Sequence, residues 1–153
     1  MKTIKIISAL LAICCLVSVL NACEKNNSKK IADVIRDAET VLINGIENDT
    51  VEAALGAFEG KQGDYIEFHF SDPQTINTIF ITEKTATVRQ YNVYAEKDGK
   101  FALVYTGKHI FQENIKIPET TATALKLEIV NTQIGDDHFI IQSISAYNLS
   151  EGE

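Results

Sequence analysis

The chain has 153 residues, with 14 basic and 21 acidic side chains, a formal charge of −7, three cysteines and no tryptophan. That acidity leaves no basic face for phosphate, so no nucleic acid is expected as a partner. The length supplies one sizeable core but not two, so one domain is expected.

At the start, Lys2 and Lys5 precede an apolar run from Ile6 to Leu20 that only Ser8 and Ser18 interrupt. These are the charged and hydrophobic parts of an export signal, and the run falls short of the ~20 residues that span a bilayer comfortably. It ends in Leu20-Asn21-Ala22-Cys23, an aliphatic residue three before a cysteine and a small residue just before it, which matches a lipobox. The expected signal peptide is therefore 1–22, cut before Cys23, whose thiol is the nucleophile that takes the diacylglyceryl group. Cys14 and Cys15 leave with the signal, so Cys23 remains alone, no internal disulfide can form, and stability rests on a core. Loss of Lys2 and Lys5 takes the formal charge from −7 to −9. Two or more acyl chains, at ~0.8 kcal/mol per buried methylene, anchor far more firmly than one. The expected location is the bacterial cell envelope, at the outer membrane and through the lipid alone; Glu24-Lys25-Asn26 is mixed in charge and leaves the leaflet open.

Residues 23–30 continue as Glu24-Lys25-Asn26-Asn27-Ser28-Lys29-Lys30, polar throughout, which predicts a flexible tether. The domain is expected over 31–149, with a frayed tail at 150–153. Asp49 to Phe58 predicts one or two helical turns capped by Asp49 or Thr50. Beyond residue 62 the period becomes two. Asp64 to Ser71 alternates Ile66, Phe68 and Phe70 against Tyr65, Glu67 and His69, and Asp72-Pro73 brings turn chemistry. Further strands are predicted over 76–82, 89–96, 101–106, 114–117, 124–130 and 140–147. Asp98-Gly99 between two of them is a hairpin signal. Seven short, evenly spaced strands predict an all-β sandwich or jelly roll.

The run from Gly63 to Ile79, in which Tyr65-Ile66-Glu67-Phe68 is followed by a turn and then Ile76-Asn77-Thr78-Ile79, resembles the signature of the discoidin, or coagulation factor V/VIII type C, domain. Arg89-Gln90-Tyr91-Asn92-Val93-Tyr94, Asp98-Gly99-Lys100-Phe101, Ala124-Leu125-Lys126-Leu127-Glu128-Ile129 and Ile144-Ser145-Ala146-Tyr147 follow in the same order. The resemblance spans about residues 32 to 149. It implies a galactose-binding-like jelly roll of two antiparallel sheets, used mainly as a non-catalytic binding module. In bacteria such modules bind carbohydrate and are often joined to glycoside hydrolases such as fucosidases and sialidases.

The resemblance also implies site residues. A structural calcium is expected in the loop Asn44-Gly45-Ile46-Glu47-Asn48-Asp49-Thr50, with Asn44, Glu47, Asp49 and Thr50 as the oxygen donors; Asn44 and Ser143 stand where the family carries Asp and Glu. A hydrogen-bonded turn built on Gly45 is the plainer alternative. Sugar binding is expected at Gly135-Asp136-Asp137-His138-Phe139, with Phe139 as the stacking platform, His138 and Asp137 as polar partners, and Arg89 and His109 from neighbouring connections. The plainer alternatives are a core Phe139 and a solvated Asp136-Asp137 turn; for His69 the expectation is a sheet-surface position.

Catalysis is not expected. Asp136 and Asp137 are adjacent, so on an extended segment they point to opposite sides and cannot flank one bond. No nucleophile elbow, metal-binding histidine spacing or phosphate-cradling glycine loop occurs. The expected function is capture or scaffolding of a glycan containing galactose or fucose, and the alternative is a protein interaction module in an envelope complex.

Overall fold

The computed structural model describes residues 31–110 and 112–149. The signal, the tether, Cys23 and the tail lie outside the described residues. The described residues open on a 3-10 turn, Val34–Asp37, and then run through eight strands and one short helix. The strands are β1 (Ala38–Ile43), β2 (Ile46–Glu47), β3 (Phe58–Lys61), β4 (Tyr65–Glu83), β5 (Val88–Lys97), β6 (Lys100–Gly107), β7 (Gln112–Thr132) and β8 (His138–Tyr147), with α1 at Val51–Ala54. All pairings are antiparallel, and the order is β2-β1-β4-β7-β5-β6, with β8 on β4 and β3 on β8. The fold is the expected all-β jelly roll.

Two strands are longer than the sequence suggests. β4 joins the segments expected at 64–71 and 76–82, and β7 joins those at 114–117 and 124–130. Asp72-Pro73 does not end the strand. It lies where the β4–β7 register shifts between His69 and Gln74, so that β4 passes from one layer to the other. Its first half pairs with β1 and its second half with β8. The strands before residue 62 lie outside the expected set because none of them shows a period of two: β1 ends in the unbroken run Val41-Leu42-Ile43, β2 has two residues and β3 four.

The inner faces follow the period of two. Ile66, Phe68 and Phe70 of β4 are buried with Val93 and Ala95 of β5 and Leu125, Leu127 and Ile129 of β7. Each fully buried aliphatic or aromatic side chain contributes ~1.5–3 kcal/mol. In β8 the alternation breaks: Phe139, Ile141, Ile144 and Ala146 all face inward. The pairs Thr82 with Ser143 and Glu83 with Ile141 leave Gln142 as a bulge, which resets the phase and keeps Ile144 in the core. Gly107 sits opposite Tyr91, where a Cβ would come within 2.1 Å of the phenol ring. Only glycine admits the fully buried Tyr91 there.

Among the described residues, antiparallel connectivity gathers five connections at one end of the sandwich: the β1–β2 turn, β3–β4 at 62–64, β4–β5 at 84–87, β6–β7 at 108–110 and β7–β8 at 133–137.

Candidate functional site

The β7–β8 connection is shaped by its own backbone. Asp136 N donates to Gln133 O at 3.0 Å, closing a tight turn, and Gly135 takes φ +85°, which a side chain would strain. His138 N donates to Asp136 Oδ1 at 3.3 Å, so this carboxylate caps the start of β8. The turn leaves Ile134 fully exposed at its tip. Beside it opens a cleft of about 420 Å³ whose walls include Gln62, Asn131, Gln133, Ile134, Asp136 and Asp137. Amides, carboxylates and one apolar side chain therefore line the same cleft.

The expected residues divide. Asp137 is exposed and lines the cleft. Phe139 does not form a platform: it is 0% exposed, with its ring packed edge-on against Phe58 at 5.1 Å. The reason is phase, because β8 begins at His138 and the next residue points inward. His138 faces outward on the other side of the strand, 4.0 Å from Glu59 Oε2, and lies outside the cleft walls. His109 is exposed on the β6–β7 connection and is also not among those walls.

Arg89 acts as a strut. Its guanidinium donates to Ala86 O at 2.9 Å, to Val88 O at 3.1 Å and to the side-chain oxygen of Gln133. It thereby ties the β4–β5 connection to a wall of the cleft.

The loop expected to hold calcium is built differently. Asn44 and Gly45 have φ of +53° and +79°, and Ile43 pairs with Ile46, so they form a two-residue hairpin. Asn44 Oδ1 is taken by Tyr65 N at 2.9 Å. Thr50 Oγ1 donates to Asn48 Oδ1 at 2.7 Å and accepts from Ala53 N at 3.2 Å as the cap of α1. Glu47 and Asp49 are exposed. Two of the four oxygens thus serve the backbone and its turns. Among the described residues, no three His, Cys, Asp or Glu side chains gather in a metal-binding group.

One arrangement escaped sequence reading because it depends on cross-strand register. On the outer face of the larger layer, Lys126 Nζ lies over the rings of Tyr65, Phe101 and Tyr94 at 4.7, 4.8 and 5.3 Å. It also lies 3.6 Å from Glu67, which His69 contacts at 3.1 Å. Tyr94 OH donates to Glu128 at 2.7 Å. Burial, and then this hydrogen bond, hold the Tyr94 phenol above its ordinary pKa. Tyr65, Glu67 and His69 alternate outward as expected, but the partners from β5, β6 and β7 cannot be read along one strand.

No known protein-family profile matches the chain, and no curated protein matches it. Solved structures do. A chitosan-binding module of a Paenibacillus chitosanase/glucanase superposes with a TM-score of 0.63 at 16% identity, covering 76% of this chain and 99% of that one. A CBM32 module of Clostridium perfringens, solved with GalNAc-β-1,3-galactose, gives 0.61 at 12% identity over 76% and 100%. A putative α-L-fucosidase of Bacteroides thetaiotaomicron gives 0.51 at 24% identity, covering 61% of this chain and only 22% of the fucosidase. The chain is therefore similar to whole binding modules and to a part of larger enzymes, and the likeness shows the fold they share.

Proposed function

We propose that this chain is a non-catalytic carbohydrate-binding module of the discoidin type, carried on a lipoprotein anchored through Cys23 in the bacterial cell envelope. The observation that carries this reading is the cleft at the loop end of the sandwich, which Gln62, Asn131, Gln133 and Asp137 line together with the exposed Ile134. Amides and a carboxylate satisfy sugar hydroxyls in both donor and acceptor sense, and an apolar side chain covers the C–H face of a pyranose. Ile134 takes the part expected of Phe139. The reading is supported by similarity to modules that match over almost their whole length and whose names include chitosan binding and a complex with GalNAc-β-1,3-galactose.

Galactose- or fucose-containing glycans are the proposed ligands, the latter because the chain resembles part of a fucosidase. Recognition proceeds without bond breaking: Asp136 is engaged in capping β8, which leaves Asp137 without a paired carboxylate across the cleft. A glycan array probed with the full chain tests this. Retention of galactose- or fucose-bearing glycans, lost on Asp137→Ala together with Ile134→Ala, is the expected result. The second reading, a protein-docking module, is favoured by Leu103, 55% exposed beside the aromatic outer face. No glycan retention, with one envelope protein bound through that face, would support it.

A further inference from the structure

Glu83 closes β4 beneath the rim and is only 9% exposed. Its Oε1 accepts from Thr87 N at 2.6 Å, Thr85 Oγ1 at 2.8 Å and Val88 N at 3.1 Å, and lies 3.0 Å from Thr87 Oγ1. Its Oε2 is buried without a hydrogen-bond partner among the described residues. A buried carboxylate with one idle oxygen is a poor device for stability alone, because the charge is desolvated and only half of it is compensated. What it organises is the connection to β5 and, through that, the cleft. Thr87 O accepts from Gln133 N at 2.8 Å, at the cleft wall. Thr87 Oγ1 donates to His138 O at 2.8 Å, and Thr85 Oγ1 accepts from Ile140 N at 3.2 Å. Between the two threonines, Ala86 takes φ +54°, a conformation an alanine keeps only when its surroundings impose it. Arg89 clamps the same connection from outside through Ala86 O and Gln133.

We propose that Glu83 is the positioning residue of the carbohydrate cleft: its buried carboxylate locks the β4–β5 connection, which in turn fixes Gln133 and the start of β8 in the geometry that receives the sugar. This rests on the reading of the cleft as the ligand site. Charge-assisted bonds from two backbone N–H groups and a hydroxyl make the lock, so a glutamine retains the acceptor but weakens it, and an alanine removes it.

The test compares the full chain with Glu83→Gln, Glu83→Ala and Thr87→Val. It measures amide hydrogen exchange at Thr87, Val88 and Gln133, affinity for the disaccharide GalNAc-β-1,3-galactose, and global unfolding. Glu83→Ala is expected to lower protection of those three amides and disaccharide affinity by about tenfold or more, while amides of Ile66, Phe68 and Leu127 keep theirs. Glu83→Gln should restore most of both, within about fivefold of the parent. Thr87→Val keeps the backbone bonds to Oε1 and loses the tie to His138 O, so a fall in affinity of severalfold is expected even if Glu83→Ala does not fold. Unchanged loop protection in the Glu83 variants overturns the proposal, and so does a uniform loss of stability with affinity intact in the folded fraction. A parent chain that binds no disaccharide overturns the ligand-site reading on which the proposal rests, whereas the exchange data still decide separately whether Glu83 orders the loop.

Discussion

Phe139 illustrates how one residue of phase decides between ligand contact and core. Following a loop rich in aspartate, it looks available to solvent, yet β8 starts one residue earlier and the ring is fully buried against Phe58. Phe139→Ala should therefore cost ~3–5 kcal/mol of stability. A melting experiment checks this, with Tm falling by roughly 10 °C or more. Ala86, at φ +54°, offers the opposite case. Ala86→Gly relieves a strain of ~1–3 kcal/mol against a smaller entropic cost, so unchanged or slightly higher stability in a denaturant titration is expected. Tyr94 gives a pH signature. Its folded pKa is raised by burial and by Glu128, so the neutral phenol is favoured in the folded state. That stabilisation is complete below the unfolded value near ~10 and is lost as pH rises through the folded value. Phenolate absorbance should show Tyr94 titrating late, and Tyr94→Phe should remove that step and flatten the alkaline loss of stability.

At the scale of elements, most of the strand pattern after residue 62 was legible because a sheet with one buried face leaves a period of two in the sequence. The alternation of Ile66, Phe68 and Phe70, and the Asp98-Gly99 hairpin, lie where the pattern puts them. Strand length was not legible, since Asp72-Pro73 carries turn chemistry but sits at a bend within β4. Asn44-Gly45 carried its own signal: two residues that tolerate positive φ between Leu42-Ile43 and Ile46 spell a hairpin, and the structure folds one. Asn44 Oδ1 secures that turn by accepting from Tyr65 N. Two outcomes follow. Chelation with EDTA should leave the melting temperature unchanged. Gly45→Ala should destabilise by ~1 kcal/mol or more, because its φ is +79° and a Cβ would crowd the Tyr65 hydroxyl at 3.3 Å. The cleft was legible only as a loop: Asp137 was identifiable, but Gln62 and Asn131 join it through the β3–β4 turn and the end of β7, which no single segment reveals.

At the scale of the molecule, the jelly-roll domain presents five of its connections at one end, and the lipid anchor proposed at Cys23 would tie it to a membrane. Recognition without chemistry, on a tether, is the account these features support. The measurement that tests it most directly is a titration of the isotope-labelled full chain with GalNAc-β-1,3-galactose and with L-fucose, followed by amide chemical shifts. The account predicts saturable shifts confined to Gln62, Asn131, Gln133, Ile134 and Asp137, abolished by Ile134→Ala with Asp137→Ala. Absence of any saturable shift, or shifts centred on Tyr65, Tyr94 and Phe101 with the cleft silent, would contradict it.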